Sequence, residues 1–136
     1  MIGGSVGASF RRAARYASGW IMGGGTPDQL REGREATERA WQEEGRSGRP
    51  RIAALAYYAL GPDAEETADR YIHDYYGWLG EIADAIAASV ATDEETVNGY
   101  LAAFEDAGCD ELVLFPCTSD VEQVDLLAEA AGDRLR

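Results

Sequence analysis

The sequence predicts an α/β chain built on parallel strands, and three observations carry that prediction. Segments of strand character alternate with segments of helical period along the whole chain. The stretch "RIAALAYYAL" is continuously apolar, as a strand buried on both faces would be. Glycine clusters stand at two strand-to-helix junctions, Gly3-Gly4 and Gly23-Gly24-Gly25. Strands alternating with helices imply right-handed crossovers in one sheet. Periodicity leaves two architectures open, a doubly wound sheet or part of a (β/α) barrel.

The elements follow in order. Met1-Ile2 reads as the end of an apolar strand, cut short, with Gly3-Gly4-Ser5 as its turn. Phe10, Ala13, Ala14 and Ala17 then recur at i, i+3, i+4 and i+7, an amphipathic helix with Arg11, Arg12 and Arg15 on its polar side. "GWIM" is a short buried strand. In "TPDQL", Thr26 can cap a helix, Pro27 takes its first position, and Gln29 can close a capping box. That helix runs to about Glu44, buries Leu30, Ala40 and Trp41, and stops at Gly45.

"GRSGRP" is a polar loop before the long apolar strand, which Gly61-Pro62-Asp63 breaks. A helical run from about Ala64 to Ser89 follows, with Gly77 and Gly80 placed to bend or interrupt it. Thr92 with Glu95 reads as a second capping box, opening a helix with Val97, Tyr100, Leu101 and Phe104 on its buried stripe and Gly108 at its end. "ELVLFP" is the last strand. Ser119 with Glu122 reads as a third box, opening a helix that runs to the terminus.

Composition bounds the function. At 136 residues, with 46% hydrophobic and 27% charged side chains, the chain has the size and makeup of one globular domain, residues 1–136. A formal net charge of −13 excludes the basic footprint that nucleic-acid backbones require. The acidic runs "DAEETAD" and "TDEE" read as solvated helix faces. No apolar run approaches the roughly 20 residues of a membrane span. There is no signal-peptide pattern, and the reading is cytoplasmic. Two cysteines, Cys109 and Cys117, flank the last strand without metal-ligand spacing and read as reduced thiols, although Cys117 follows that strand where it could face a site.

Both glycine clusters lie at the C-terminal ends of strands, the edge where α/β folds bind ligands. Glycine permits close backbone approach and positive φ, and the following helix offers free N–H groups to an anion. Neither cluster matches GxGxxG or the Walker pattern.

The segment "GGSVGASFRRAARYASGWIMGGGTPDQLREG" resembles the middle of the luciferase-like family of flavin-dependent oxidoreductases. Gly3, Gly4 and Ser5 match that family's strand ending in Gly-Gly-Ser. Arg11, Arg12 and Arg15 match its arginine-bearing helix. Ser18-Gly19-Trp20 matches its "DGW" strand, with serine in place of the usual aspartate. "AFEDAGCDELVLFP" is similar to the family's closing strand.

The resemblance implies the C-terminal segment of a (β/α)8 barrel, about strands five to eight, without the first half. It implies FMN or the deazaflavin F420 as cofactor and a small molecule as substrate. It assigns the cofactor phosphate to Gly3, Gly4 and Ser5 together with Met22, Gly23, Gly24 and Gly25. No catalytic residue follows, because those around the flavin ring come from the missing half. It further implies a homodimer or a complex with an N-terminal barrel half. A different reading keeps the same fold as a non-catalytic module that self-associates or completes a partner.

The remaining candidates read structurally. His73 lies mid-helix beside Asp74 without a catalytic partner. Tyr71, Tyr75, Tyr76 and Trp78 fit a pocket, a subunit contact or a core equally well. Trp20 is expected to fill a barrel interior, and the three arginines of the first helix to form surface ion pairs.

Overall fold

The computed structural model describes Met1–Leu135. Four strands form one sheet in the order β1-β2-β3-β4: β1 (Ile2–Gly3), β2 (Gly19–Met22), β3 (Arg51–Tyr58) and β4 (Glu111–Pro116). β1 pairs parallel with β2, and β2 parallel with β3. Consecutive order without a reversal is the order of a (β/α) barrel wall; a doubly wound sheet reverses at its switch point. The helices are α1 (Gly7–Tyr16), α2 (Pro27–Glu43), α3 (Ala64–Tyr76), α4 (Glu81–Ala87), α5 (Glu94–Asp106) and α6 (Glu122–Ala131), with single 3₁₀ turns at Gly77–Leu79 and Gly132–Leu135. The chain divides into two compact units.

The first unit comprises residues 1–56 and 102–113. Its register sets Trp20 opposite Ile52 and Met22 opposite Ala54. Trp20 is only 2% exposed, but it does not face a barrel interior. Its ring meets Phe10 of α1 edge-on, centroids 5.4 Å apart, and lies flat against Gly33 of α2, where a Cβ would collide with it. The glycine at position 33 is the space the indole needs. Ala14 of α1 packs against Ala40 and Trp41 of α2, with small side chains letting the helices approach.

Arg46, Arg49 and Arg51, close together in the sequence, all make structural contacts. Arg46 donates to the carbonyls of Ala14 and Ala17, at 2.8 and 2.6 Å, so it caps the C-terminus of α1 while its guanidinium stacks on Trp41. Arg49 forks onto Asp110, whose carboxylate also accepts the Ile52 N–H at 2.8 Å. The Arg49 fork, ahead of the Ile52 N–H, holds the Asp110 carboxyl below its usual range. Arg51 pairs with Glu111 at 2.9 Å.

The second unit comprises residues 57–101 and 114–135 of the described chain. Here the last turns of β3 are held from several sides. Ala91 bridges to the strand end through Tyr57 and Ala59, and Cys117 N–H donates to Tyr58 O at 2.8 Å. Gln123, 7% exposed, pairs its side-chain amide with both backbone groups of Leu60, at 2.9 and 2.8 Å. Tyr58 packs with Val97 of α5, and its neighbour Tyr57 packs beside Ala68 and Ile72 of α3. Successive strand residues therefore meet helices on opposite faces.

The run from Ala64 to Ser89 is interrupted where expected: two helices are joined by the turn Gly77–Leu79, and Gly80 takes φ +60 at its end. Other local readings are corrected. Asp93, not Thr92, caps α5: its carboxylate accepts the Thr96 N–H at 2.7 Å and the Thr96 hydroxyl at 3.1 Å. A carboxylate is the stronger acceptor, so it takes the cap from the hydroxyl next to it. Asp120, not Ser119, accepts from Glu122 N–H before α6. That helix ends at Ala131, and Arg136 lies outside the described residues. On α5, Val97 and Phe104 are buried as expected, whereas Tyr100 and Leu101 are half-buried.

Candidate functional site in the glycine loops of the first unit

Gly3 stands opposite Ile21, so the chain leaves β1 and β2 side by side at the same sheet edge. The loop residues Gly4-Ser5 and Gly23-Gly24-Gly25 are thereby brought together, as the sequence anticipates. Met22, two residues from Trp20 on β2, is buried, and its sulfur lies 3.2 Å from where a Cβ on Gly25 would sit.

The two loops differ in what they leave free. The loop after β1 is pinned from below: the Trp20 indole N–H donates to Gly4 O at 2.8 Å. Gly4 takes φ +110, and a Cβ there would strike the Ser9 hydroxyl. α1 then follows Val6, its N-cap, with no side-chain cap and no acid in its first turn. Ser9 and Phe10 N–H groups bond to Val6 O. Those of Gly7 and Ala8 have no partner among the described residues. A free helix N-terminus without a carboxylate is electropositive.

The loop after β2 ends differently. The expected capping box at α2 is formed, with Gln29 N–H on Thr26 Oγ1 at 3.3 Å and Thr26 N–H on Gln29 Oε1 at 2.9 Å. Asp28 adds a carboxylate to the first turn, paired with Arg31. This helix end is already satisfied. Its glycines supply room instead: Gly24 and Gly25 take φ +120 and +138, and nothing lies within 4 Å of a Cβ placed on Gly23 or Gly24. Of the two helix ends, the one at α1 is left open, with the glycine triad as an open backbone wall beside it.

Charge divides the same way. The first unit holds nine of the 12 arginines and ten of the 25 acidic residues, a net of −1, which leaves the second unit at −12. Only the first unit suits an anionic ligand. Arg11, Arg12 and Arg15 are exposed and form no ion pair among the described residues, contrary to expectation. Arg15 lies over the Tyr16 ring, and an Arg11 guanidinium nitrogen folds back to 3.4 Å from where a Cβ on Gly7 would sit.

The second unit contains a groove of about 460 Å³, lined by Glu65, Asp69, His73, Asp84, Val90 and Thr92 among others. His73 Nδ1 meets the Asp69 carbonyl at 2.9 Å, and Nε2 meets the Asp84 carboxylate at 2.9 Å. Both partners are acceptors, which favours the protonated ring. The Asp84 hydrogen bond first, then the Asp69 carbonyl, raises its pKa above the usual 6.5. His73 is thus a tie between α3 and α4 rather than a free base. Cys117 is buried, and burial pushes its thiol up to about 11, so it is no thiolate at neutral pH. Among the described residues no cluster of three or more His, Cys, Asp or Glu could hold a metal ion. No described helix is long and apolar enough to cross a membrane.

Comparison with known proteins agrees with this geometry. Among solved structures, an F420-dependent secondary alcohol dehydrogenase in complex with an F420-acetone adduct superimposes with a TM-score of 0.75 at 20% identity, over 94% of this chain and 46% of that one. The coenzyme F420-dependent tetrahydromethanopterin reductase of Methanopyrus kandleri gives 0.64 at 18% identity, over 93% and 47%. A long-chain alkane monooxygenase gives 0.67 at 15% identity, over 97% and 40%. The chain spans less than half the length of each, so its fold is that of a partial (β/α)8 barrel. No curated protein matches it in sequence. The model of the luciferase-like monooxygenases matches residues 1–132, nearly the whole chain, and the chain belongs to that family.

Proposed function

We propose that this chain is the cofactor-phosphate-binding part of a flavin- or F420-dependent oxidoreductase acting on a small molecule in the cytoplasm. Residues 1–136 form one partial luciferase-like barrel in this reading. The observation that carries it is the pair of adjacent glycine loops beside an uncapped, carboxylate-free helix N-terminus. FMN and F420 both carry a phosphate on a ribityl chain, and the N–H groups of Gly7 and Ala8 fit such an anion. Gly3, Gly4 and Ser5 bring the chain in on one side. Met22 and the Gly23–Gly25 backbone line the other. A bound flavin-type cofactor would supply the hydride or oxygen chemistry. The protein's own part is positional: Trp20 fixes Gly4, and the glycines admit the phosphate without a side chain in the way.

Titration of the purified chain with FMN and with F420, read by cofactor fluorescence, tests the reading. Binding of either, weakened by Gly24→Val, is expected. A β-branched residue is strained at φ +120, at a cost of about 1–3 kcal/mol. Binding that is unchanged in Gly24→Val refutes the site, and absence of binding to both cofactors refutes the function.

A second reading has its own observation. Tyr75, Trp78 and Ile82 are 63, 81 and 58% exposed along α3 and α4, and Phe115 of the edge strand β4 is 43% exposed. Apolar surface of this kind favours a non-catalytic module that self-associates or completes a partner barrel half. A homodimer, or a complex with such a half, is compatible with both readings.

A further inference from the structure

We infer that α4 is a flap latched onto α3 by the protonated His73 ring, and that it opens at the groove beside that ring when the proton leaves. The inference is independent of the cofactor reading. Three observations carry it: a seam of like charge with one cation in it, a hinge, and a groove at the seam.

The seam comes first. α3 carries Glu65, Glu66, Asp69 and Asp74 against Arg70, and α4 carries Glu81 and Asp84 with no cation. Arg70 is turned along its own helix to Glu66, 3.8 Å away. The two helices therefore repel unless His73, the chain's one histidine, is charged. Its Nδ1 meets the carbonyl and the carboxylate of Asp69, on the same helix, at 2.9 and 3.1 Å. Its Nε2 meets the Asp84 carboxylate, on α4, at 2.9 Å.

The charged groups around the ring are those two aspartates and Glu65, which lines the same groove. The turn Gly77–Leu79 has no titratable side chain, and the segment before α5 presents the uncharged Thr92. A neutral imidazole has one N–H and one lone pair. Kept on Nδ1, where Asp69 accepts it within α3, the proton leaves the Nε2 lone pair facing the Asp84 carboxylate. The latch then repels. The raised pKa of His73 has the matching sign: the latch is closed below it and released as pH rises through it.

The hinge is the single 3₁₀ turn between the helices. Gly80 takes φ +60 and ψ −130, and nothing lies within 4 Å of a Cβ placed on Gly77 or Gly80. Glycines at both ends of the turn, with open space around them, let the backbone rotate there. α4 itself is seven residues long, and only Ala83 of it is buried. Ile86 and Ala87 add half-buried contacts to the cluster of Ala68, Ile72 and Val90. A segment with so little buried surface opens on its own, ahead of the rest of the fold. The groove of about 460 Å³ lies at this seam, lined by apolar Ala68, Ala87 and Val90 beside His73 and its two aspartates. Release of α4 widens it and uncovers those apolar groups.

Hydrogen–deuterium exchange on the full chain from about pH 5.5 to 8.5, corrected for the pH dependence of intrinsic exchange, tests the flap. The His73 Cε1–H resonance is titrated in the same samples. Protection of the α4 amides should fall about threefold as that resonance titrates, the size expected of an exposed ion pair. Amides of α1 and α2 should show no such step. Asp84→Asn and His73→Gln should each remove the step, the first by taking away the carboxylate and the second by taking away the titrating ring. Flat α4 protection across the His73 titration overturns the flap. So does a step that survives in either variant, or a loss shared equally by α1 and α2, which would be global unfolding.

Discussion

Gly33→Ala offers a sharp test of how the ligand loop is supported. In an ordinary helix interior the change stabilises by about 1 kcal/mol, because alanine forms helix better than glycine. At position 33 the new methyl meets a wall. The Trp20 ring carbons Cη2, Cζ3 and Cζ2 all lie within 2.9 Å of the point a Cβ would occupy. Trp20 cannot swing away freely, since it is 2% exposed, packed on Phe10, and bonded through its indole N–H to Gly4 O. Overpacking against a fixed ring costs about 1–3 kcal/mol, and three close carbons put this site at the upper end. The net expectation is a loss of about 2 kcal/mol. That is a large part of a typical stability of about 5–15 kcal/mol.

Trp20→Phe removes those three carbons, at the cost of the Gly4 hydrogen bond and some packing. In that background Gly33→Ala should recover its ordinary gain of about 1 kcal/mol. The two residues should therefore couple by about 3 kcal/mol in a double-mutant cycle. Urea unfolding of the four proteins measures it. With m of about 1–3 kcal/mol per M, a 2 kcal/mol loss moves the midpoint by about 1 M, and m itself should hold. A stabilising Gly33→Ala in the wild-type background, or additive single mutants, would refute the packing argument and with it the claim that the indole anchors Gly4.

Two further outcomes are expected. His73 ties α3 to α4 through Asp84, and its pKa is raised in the fold. Its contribution is therefore complete below the ordinary value of about 6.5 and lost as pH rises through the folded pKa. Melting curves against pH should show that loss in the wild type and not in Asp84→Asn; identical profiles would show that the tie contributes nothing. Sedimentation at low micromolar concentration should find a homodimer, or a chain that pairs with an added N-terminal barrel half. Trp78→Glu should weaken that association. A cooperatively melting monomer with no tendency to pair would remove the assembly reading.

Much of this protein is written in local sequence. The alternation of strand and helix, the capping box Thr26–Gln29, the break at Gly61-Pro62-Asp63 and the two glycine loops depend on neighbours within a few residues, where periodicity and cap chemistry operate. The ordered motifs from "GGS" to "LVLFP" also carried the family. Caps were missed where a stronger acceptor stood one residue away, as Asp93 does beside Thr92. The direction of Trp20 was misread because an apolar four-residue strand does not state which face meets the helices. Only the register of Trp20 with Ile52, and the gap at Gly33 thirteen positions before Arg46 closes the same layer, settle that.

The division between the two glycine loops also belonged to the tertiary structure alone. In sequence both look like anion loops. In the fold one helix end is filled by its own capping box and Asp28, and the other has no side-chain cap and no acid in its first turn. Local chemistry determines which groups a segment can offer. Which of them remain unsatisfied depends on partners brought in from elsewhere along the chain, and an unsatisfied group is what a ligand binds.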